Sequence, residues 1–193
     1  MLEDLLKMDT ELFLSIHQAR NAFFDFIMPW FSNRWIWIPL YAYLAYVLFK
    51  LYRGHFIVIA LSVAVMIVVS DQGANLFKNN VKRSRPCHNP ELLATGLVQT
   101  PQGCGGPYGY FSGHASNSFA VALLMLLLVR RKDKDRWKPW LWLMLWAIVV
   151  CWSRIYLGVH YPGDVASGAV FGLIVASTVY MLLAKFYLDK RNA

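Results

Sequence analysis

Residues 56–77 read FIVIALSVAVMIVVSDQGANLF, an apolar run whose only charge is Asp71. A helix needs roughly 20 mostly apolar residues to cross the hydrocarbon core of a bilayer, and this run supplies them. Working outward, four more stretches qualify: 35–51, 114–129, 139–157 and 165–186. The one at 114–129 reaches spanning length only if it starts near Ser112. The whole chain of 193 residues is 58% hydrophobic and 16% charged, against about 45–50% and about 25% in soluble domains. Disorder, a collagen-like fibre and a disulfide-rich miniprotein are excluded. The expectation is an all-α integral membrane bundle of five spans, forming a single domain over residues 1–193.

Residues 1–34 differ. Glu3, Asp4, Lys7, Asp9, Glu11, His17, Arg20 and Asp25 alternate with Leu5, Leu6, Leu12, Phe13, Ile16, Phe23, Phe24 and Ile27. That pattern predicts amphipathic helices lying in the membrane interface. No basic segment leads into an apolar run there, so no cleavable signal peptide is expected. Five spans put the chain ends on opposite sides. Eleven of the nineteen Lys and Arg then share one face: Lys50 and Arg53, the run from Arg130 to Lys138, and the tail with Lys185, Lys190 and Arg191. Basic residues in short connections stay cytoplasmic, which sets that face inside. Trp35, Trp37, Trp137 and Trp140 stand at span ends as interfacial anchors. The net charge of +8 is thereby explained by topology, and no nucleic-acid partner is expected.

The opposite face carries the N-terminal segment, a long 78–113 loop and the turn near 155–163. The loop is rich in Gly and Pro, including Pro90, Pro101, Gly105 and Gly109, and contains Cys87 and Cys104. An exported location permits a disulfide there, and a bridge closing about 17 residues is worth roughly 3 kcal/mol in the chain-entropy model. The alternative is two unpaired thiols. Cys151, inside a span, reads as packing.

Three polar clusters interrupt the apolar chain, and span parity puts all three on that outer face. They are Lys78–Pro86, Phe111–His114, and Ser153-Arg154 with His160–Asp164. Lys78, Arg85 and Arg154 supply fixed positive charge, and Arg forks match phosphate oxygens. Ser112 and Gly113 open an apolar helix, whose free N–H groups attract anions. Pro162 suits a first helical position, which sets Asp164 in the first turn of the last span, four residues from His160. A carboxylate holding one imidazole nitrogen leaves the other as a lone-pair donor. The reading is a phosphate site. His160 attacks phosphorus, Asp164 orients it, and His114 protonates the leaving oxygen. The cations and amides hold the remaining phosphate oxygens. No carboxylate cluster suited to magnesium is present in the pattern, so neither a metal nor another cofactor is expected.

These clusters resemble the type 2 phosphatidic acid phosphatase family, whose site is shared with vanadium haloperoxidases. The family pattern is Lys-x6-Arg-Pro, Pro-Ser-Gly-His and Ser-Arg-x5-His-x3-Asp. Lys78, Arg85 and Pro86 match the first part, Ser112, Gly113 and His114 the second, and Ser153, Arg154, His160 and Asp164 the third. Phe111 stands where the pattern has proline. The resemblance implies a helical bundle, often of six spans, with a phosphohistidine on His160 and His114 as general acid. It also implies that Lys78, Arg85, Ser112, Gly113, Arg154 and His160 surround the phosphate. A small bacterial member of this family would be a multi-pass inner-membrane enzyme with its site facing the periplasm. Its substrate would be a membrane lipid phosphate: lipid A or undecaprenyl diphosphate first, then phosphatidylglycerol phosphate or phosphatidic acid.

Two other classes compete. A non-enzymatic lipid-phosphate-binding protein would have lost His160 or Asp164, and neither is lost. A vanadate-dependent peroxidase would be soluble, against five spans. His17, His55 and His88 lack partner patterns and read as structural. Lys82 and Arg83 read either as a solvated cluster or as contacts to a second phosphate or a sugar. Asp71 lies two helical turns before Lys78, as a functional acid or as a cap or ion-pair partner. Gly168 and Gly172 form a small-xxx-small stripe suited to close helix packing.

Overall fold

The computed structural model describes residues 1–99 and 103–189. Pro101 of the loop, and Lys190 and Arg191 of the basic tail, lie outside the described residues. Among the described residues eight α-helices follow in order: α1 Leu2–Gln18, α2 Ala22–Ser32, α3 Ile38–Leu51, α4 Phe56–Val81, α5 Pro90–Ala94, α6 Gly113–Lys132, α7 Trp142–Tyr156 and α8 Pro162–Leu183. The fold is the all-α membrane bundle expected. Of these, four helical segments are long and apolar enough to cross a membrane, among the described residues: Arg53–Val81, Gly113–Lys132, Lys138–Tyr156 and Pro162–Leu188.

The stretch 35–51 differs from its hydropathy. It splits into a 3-10 turn, Arg34–Trp37, and the fourteen-residue α3. Hydropathy does not register Pro39, which lacks the N–H that would extend a helix backward. The segment still runs the length of the bundle. Ser32, just before it, hydrogen-bonds Arg154 at one end. Tyr52, just after it, donates to the Leu128 carbonyl at the other (2.8 Å). Fourteen helical residues rise about 21 Å and the 3-10 turn adds about 8 Å, so this length is made up by two pieces and not by one spanning helix.

α6 is the central helix and packs on α4, α7 and α8. Its small residues Ala115, Ser116, Ala120 and Ala122 are buried and let neighbours approach. The approach is closest to α8: a Cβ at Gly168 would lie 2.5 Å from the Ser112 carbonyl oxygen, and one at Gly172 would overlap that of Ser116. The small-residue stripe therefore serves packing inside the bundle. α4 turns Ile57, Leu61, Val65, Val68 and Leu76 outward, as a lipid-facing helix does.

Two sequence boundaries move. α4 continues past residue 77 to Val81 and ends where Lys82 takes a left-handed conformation (φ 51°), so Lys78 stands on its last turn and not in a loop. Nothing in Lys78–Val81 breaks a helix, and polar residues extend it once it leaves the apolar layer. The loop beyond holds a 3-10 turn at Pro86–His88 and the short α5. Cys87 and Cys104 are bonded across it. The N-terminal segment forms α1 and α2 as expected. Both pack on α7, and α1 also meets α8, at the end where α6 begins. Phe13 stacks on His17 and meets Tyr161 edge-on. A cavity of about 1080 Å³ lies at the other end among Arg53, Arg130, Arg131, Lys132 and Lys134. It contains none of the predicted site residues.

Candidate active site

Lys78, Arg85, Gly113, His114, Arg154 and His160 all line one cavity of about 690 Å³. They arrive from five places. Lys78 is on the last turn of α4, Arg85 follows it in the loop, Gly113 and His114 start α6, and Arg154 is on the last turn of α7. His160 sits in the turn between α7 and α8. Ser112 and Asp164 are fully buried behind them. Ser112 caps α6 through its side chain and donates its N–H to the Asp164 carbonyl (3.0 Å), tying the starts of α6 and α8 together.

The surroundings fix several of these groups. Arg85 donates through Nε to the Tyr108 carbonyl (3.1 Å) and through Nη1 to that of Cys104 (2.9 Å). The disulfide thus clamps the strand of loop that orients this guanidinium. A Cβ on Gly113 would lie 3.9 Å from Lys78 Nζ and 3.7 Å from Asp71 Oδ1, so the ammonium stands directly over the start of α6. Asp71 accepts from Asn117 Nδ2 (2.7 Å) and faces the same cavity.

His160 is 2% exposed. Its Nδ1 faces Asp164 Oδ2 at 3.5 Å, and the loop backbone at Gly109 lies across the pair. A Cβ there would be 2.9 Å from Asp164 Oδ2, which only glycine avoids. Burial, then the charges of Arg154, Arg85 and Lys78, holds the imidazole well below its usual value of 6.5. The ring is therefore neutral at neutral pH, with Nε2 as the nitrogen left for the cavity.

Beyond the cage the same cavity runs down between α3, α4 and α6 past Leu44, Leu48, Val63, Met66, Val121 and Leu124. A second, smaller cavity of about 320 Å³ opens beside His114 and Arg154 and is also lined by Ser32, Asn33, Arg34 and Trp35. Arg34, His114 and Arg154 line both spaces.

Several functional neighbours carry no sequence signal. Ser32, at the end of α2, hydrogen-bonds Arg154. Arg34 lines both cavities. Arg83, read from sequence as a solvated charge or a substrate contact, is instead bonded to Asp9 and Asp164. Lys82, the left-handed residue that ends α4, is exposed and does not line the cavity. His17 is buried between the Tyr156 carbonyl, 2.7 Å from its Nδ1, and the Gln99 N–H, 2.9 Å from its Nε2, a structural role.

A family model described as the PAP2 superfamily matches residues 55–187. The chain is 37% identical over 175 residues to a lipid A 4'-phosphatase of Bacteroides thetaiotaomicron, covering 89% of this chain and 75% of the relative. It is 31% identical over 196 residues to a lipid A 4'-phosphatase of Porphyromonas gingivalis, covering 99% and 78%. A transmembrane PAP2-type phosphatidylglycerolphosphate phosphatase from Bacillus subtilis superposes with a TM-score of 0.75 at 17% identity, covering 95% of this chain and 88% of that one.

Proposed function

The chain belongs to the PAP2 superfamily as a multi-pass membrane phosphatase, and on that premise we propose that it removes a phosphate from lipid A at the outer face of the inner membrane through a phosphohistidine on His160. One observation carries the reading: three cations and two histidines from five separate places line a single cavity whose far end is apolar. A charged headgroup fits the first part and a lipid tail fits the second.

The chemistry follows from the residues. His160 Nε2 attacks phosphorus and the P–O bond to the lipid breaks. His114 gives its proton to the departing oxygen. Asp164 stabilises the positive charge left on the His160 ring. Lys78, Arg85, Arg154 and the backbone N–H of Gly113 at the start of α6 hold the phosphoryl oxygens, where charge spreads in the transition state. Water then attacks the phosphohistidine while His114 takes its proton. The N–P bond breaks, and phosphate leaves with His160 neutral again. Three fixed cations replace the charge a metal would otherwise supply.

Lipid A is favoured by the names of the two relatives above. Undecaprenyl diphosphate is the alternative that Arg34 favours. Arg34 lines both cavities alongside His114, so a leaving group that is itself a phosphate would have a fourth cationic residue beside it. The test is phosphate release by the purified enzyme from lipid A, undecaprenyl diphosphate, phosphatidylglycerol phosphate and phosphatidic acid, each with and without EDTA. The expected result is fastest release from lipid A, unaffected by chelation. Release from none of the four would overturn the enzymatic reading, and a strict magnesium requirement would overturn the cation cage.

The basic end of the bundle is assigned to the cytoplasm by its charge. A cysteine introduced at Lys134 is expected to resist an impermeant thiol reagent in intact cells and to react after lysis. Equal labelling before lysis would invert the orientation.

A further inference from the structure

Asp164 is the most enclosed acid in the protein, with none of its side chain exposed, and His160 is not its nearest partner. Its Oδ1 accepts from Arg83 Nη1 at 2.8 Å, and its Oδ2 accepts from the Tyr161 backbone N–H at 3.1 Å. The other arm of the same guanidinium, Nη2, reaches Asp9 Oδ2 of α1 at 2.7 Å. Asp9 Oδ1 in turn accepts from the Gly163 N–H at 2.7 Å. That approach exists because residue 163 has no side chain: a Cβ there would lie 2.8 Å from Asp9 Oδ2. The Arg83 guanidinium also lies over the Tyr161 ring, 4.1 Å from its centroid. Arg83 and Asp9 are only 18% and 15% exposed, so this is not a solvent-screened surface pair.

We infer that Arg83, clamped by Asp9 of α1, is a positioning residue that fixes the Asp164 carboxylate opposite His160, so that α1 forms part of the catalytic apparatus. The inference rests on the reading of His160 as nucleophile. A planar fork bonding one carboxylate with each arm holds both in a set orientation, which a lysine point charge does not. The partners of Asp9 both lie just after His160, in the first turn of α8: the Gly163 amide, and through Arg83 the Asp164 carboxylate. The earlier alternative, Arg83 as a contact to a second phosphate or a sugar, would require both arms to leave existing ion pairs.

The charged groups around His160 and Asp164 set the expected signs. Lys78 of α4, Arg85 of the loop, His114 of α6 and Arg154 of α7 surround His160, and Arg83 with Asp9 of α1 stands behind Asp164. Removing Arg83 leaves the Asp164 charge uncompensated beside His160, which then keeps its proton to higher pH. Removing the Asp9 charge leaves Arg83 acting on Asp164 alone, and that shift runs the other way.

The protonation midpoint of His160 is measured by NMR on carbon-13 histidine-labelled protein in detergent, with the resonance assigned through a His160 variant. Arg83→Gln is expected to raise the midpoint by roughly one pH unit, the scale of one charge at this range. It is expected to lower kcat about 10- to 100-fold, as losing an outer partner of a functional group does, with KM nearly unchanged. Asp9→Asn is expected to leave the midpoint unchanged or lower, with a smaller loss of kcat. Arg83→Lys keeps the charge and loses the fork, so kcat falls while the midpoint stays near wild type; this variant decides the matter if Arg83→Gln does not fold. A midpoint unmoved in Arg83→Gln, or kcat unchanged in Arg83→Lys, would overturn the inference. So would a raised KM with unchanged kcat, which marks Arg83 as a substrate contact. The titration needs no turnover, so failure of all lipid phosphates as substrates would sink the functional reading and leave this result to be judged separately.

Discussion

His160→Ala is expected to lower lipid phosphate release by at least about 10⁴-fold, because removing the nucleophile of a residue set that acts as a unit costs up to about 10⁶ in rate. The loss falls on chemistry and not on folding. His160 is buried, yet its Nδ1 meets Asp164 only at 3.5 Å. The bundle is held instead by the α6–α8 approach at Gly168 and Gly172 and by the Ser112–Asp164 backbone bond. The variant should therefore elute and melt like the wild type in detergent. Substrate affinity should also survive, since Lys78, Arg85 and Arg154 remain to hold the phosphate. Turnover within tenfold of wild type would remove His160 from the role of nucleophile.

The second large effect concerns His114 and depends on the leaving group. Loss of a general acid costs about 10²- to 10⁴-fold when the departing oxygen needs a proton, as a sugar alkoxide does. His114→Ala is expected to slow lipid A dephosphorylation by that amount. p-Nitrophenolate leaves without a proton, so the first step on p-nitrophenyl phosphate should stay fast. The second step should not, because His114 then activates the attacking water. The visible result is a burst of one nitrophenolate per enzyme followed by slow turnover. Equal slowing on both substrates with no burst would mean that His114 positions the phosphate and moves no proton.

How much of this was legible in sequence depended on the physical range of each signal. Hydropathy located the helices because lipid burial acts on whole segments, and α4, α6, α7 and α8 fall within a few residues of their expected limits. It overstated the stretch before α4, where the Arg34–Trp37 turn and Pro39 shorten the helix without changing its apolarity. It also ended α4 too early, because helix continuation past the membrane is set by the absence of breakers and not by hydropathy.

The site divided in the same way. Lys78, Arg85, His114, Arg154 and His160 stood out because charge is rare in such a chain, and span parity brought them to one level. Asp9, Ser32 and Arg83 did not. Asp9 occupies an amphipathic helix that already holds Glu3, Asp4 and Glu11, and nothing local separates it from solvated charges. Its significance comes from a contact 154 residues away in sequence, to Gly163. Ser32 is one hydroxyl at a helix end, and it matters because α2 docks on α7 beside Arg154. Contacts of this kind are made by tertiary packing alone, and no periodicity or motif carries them.

The measurement closest to the central claim is direct mapping of the phosphorylated residue. Wild-type, His114→Ala and His160→Ala enzymes would each be mixed with p-nitrophenyl phosphate, quenched in alkali to preserve an acid-labile N–P bond, digested and sequenced by mass spectrometry. The account predicts one added phosphoryl group on His160, accumulating in the His114 variant and absent from the His160 variant. Phosphate on any other residue, or rapid turnover with no phosphorylated peptide in either enzyme, would contradict it.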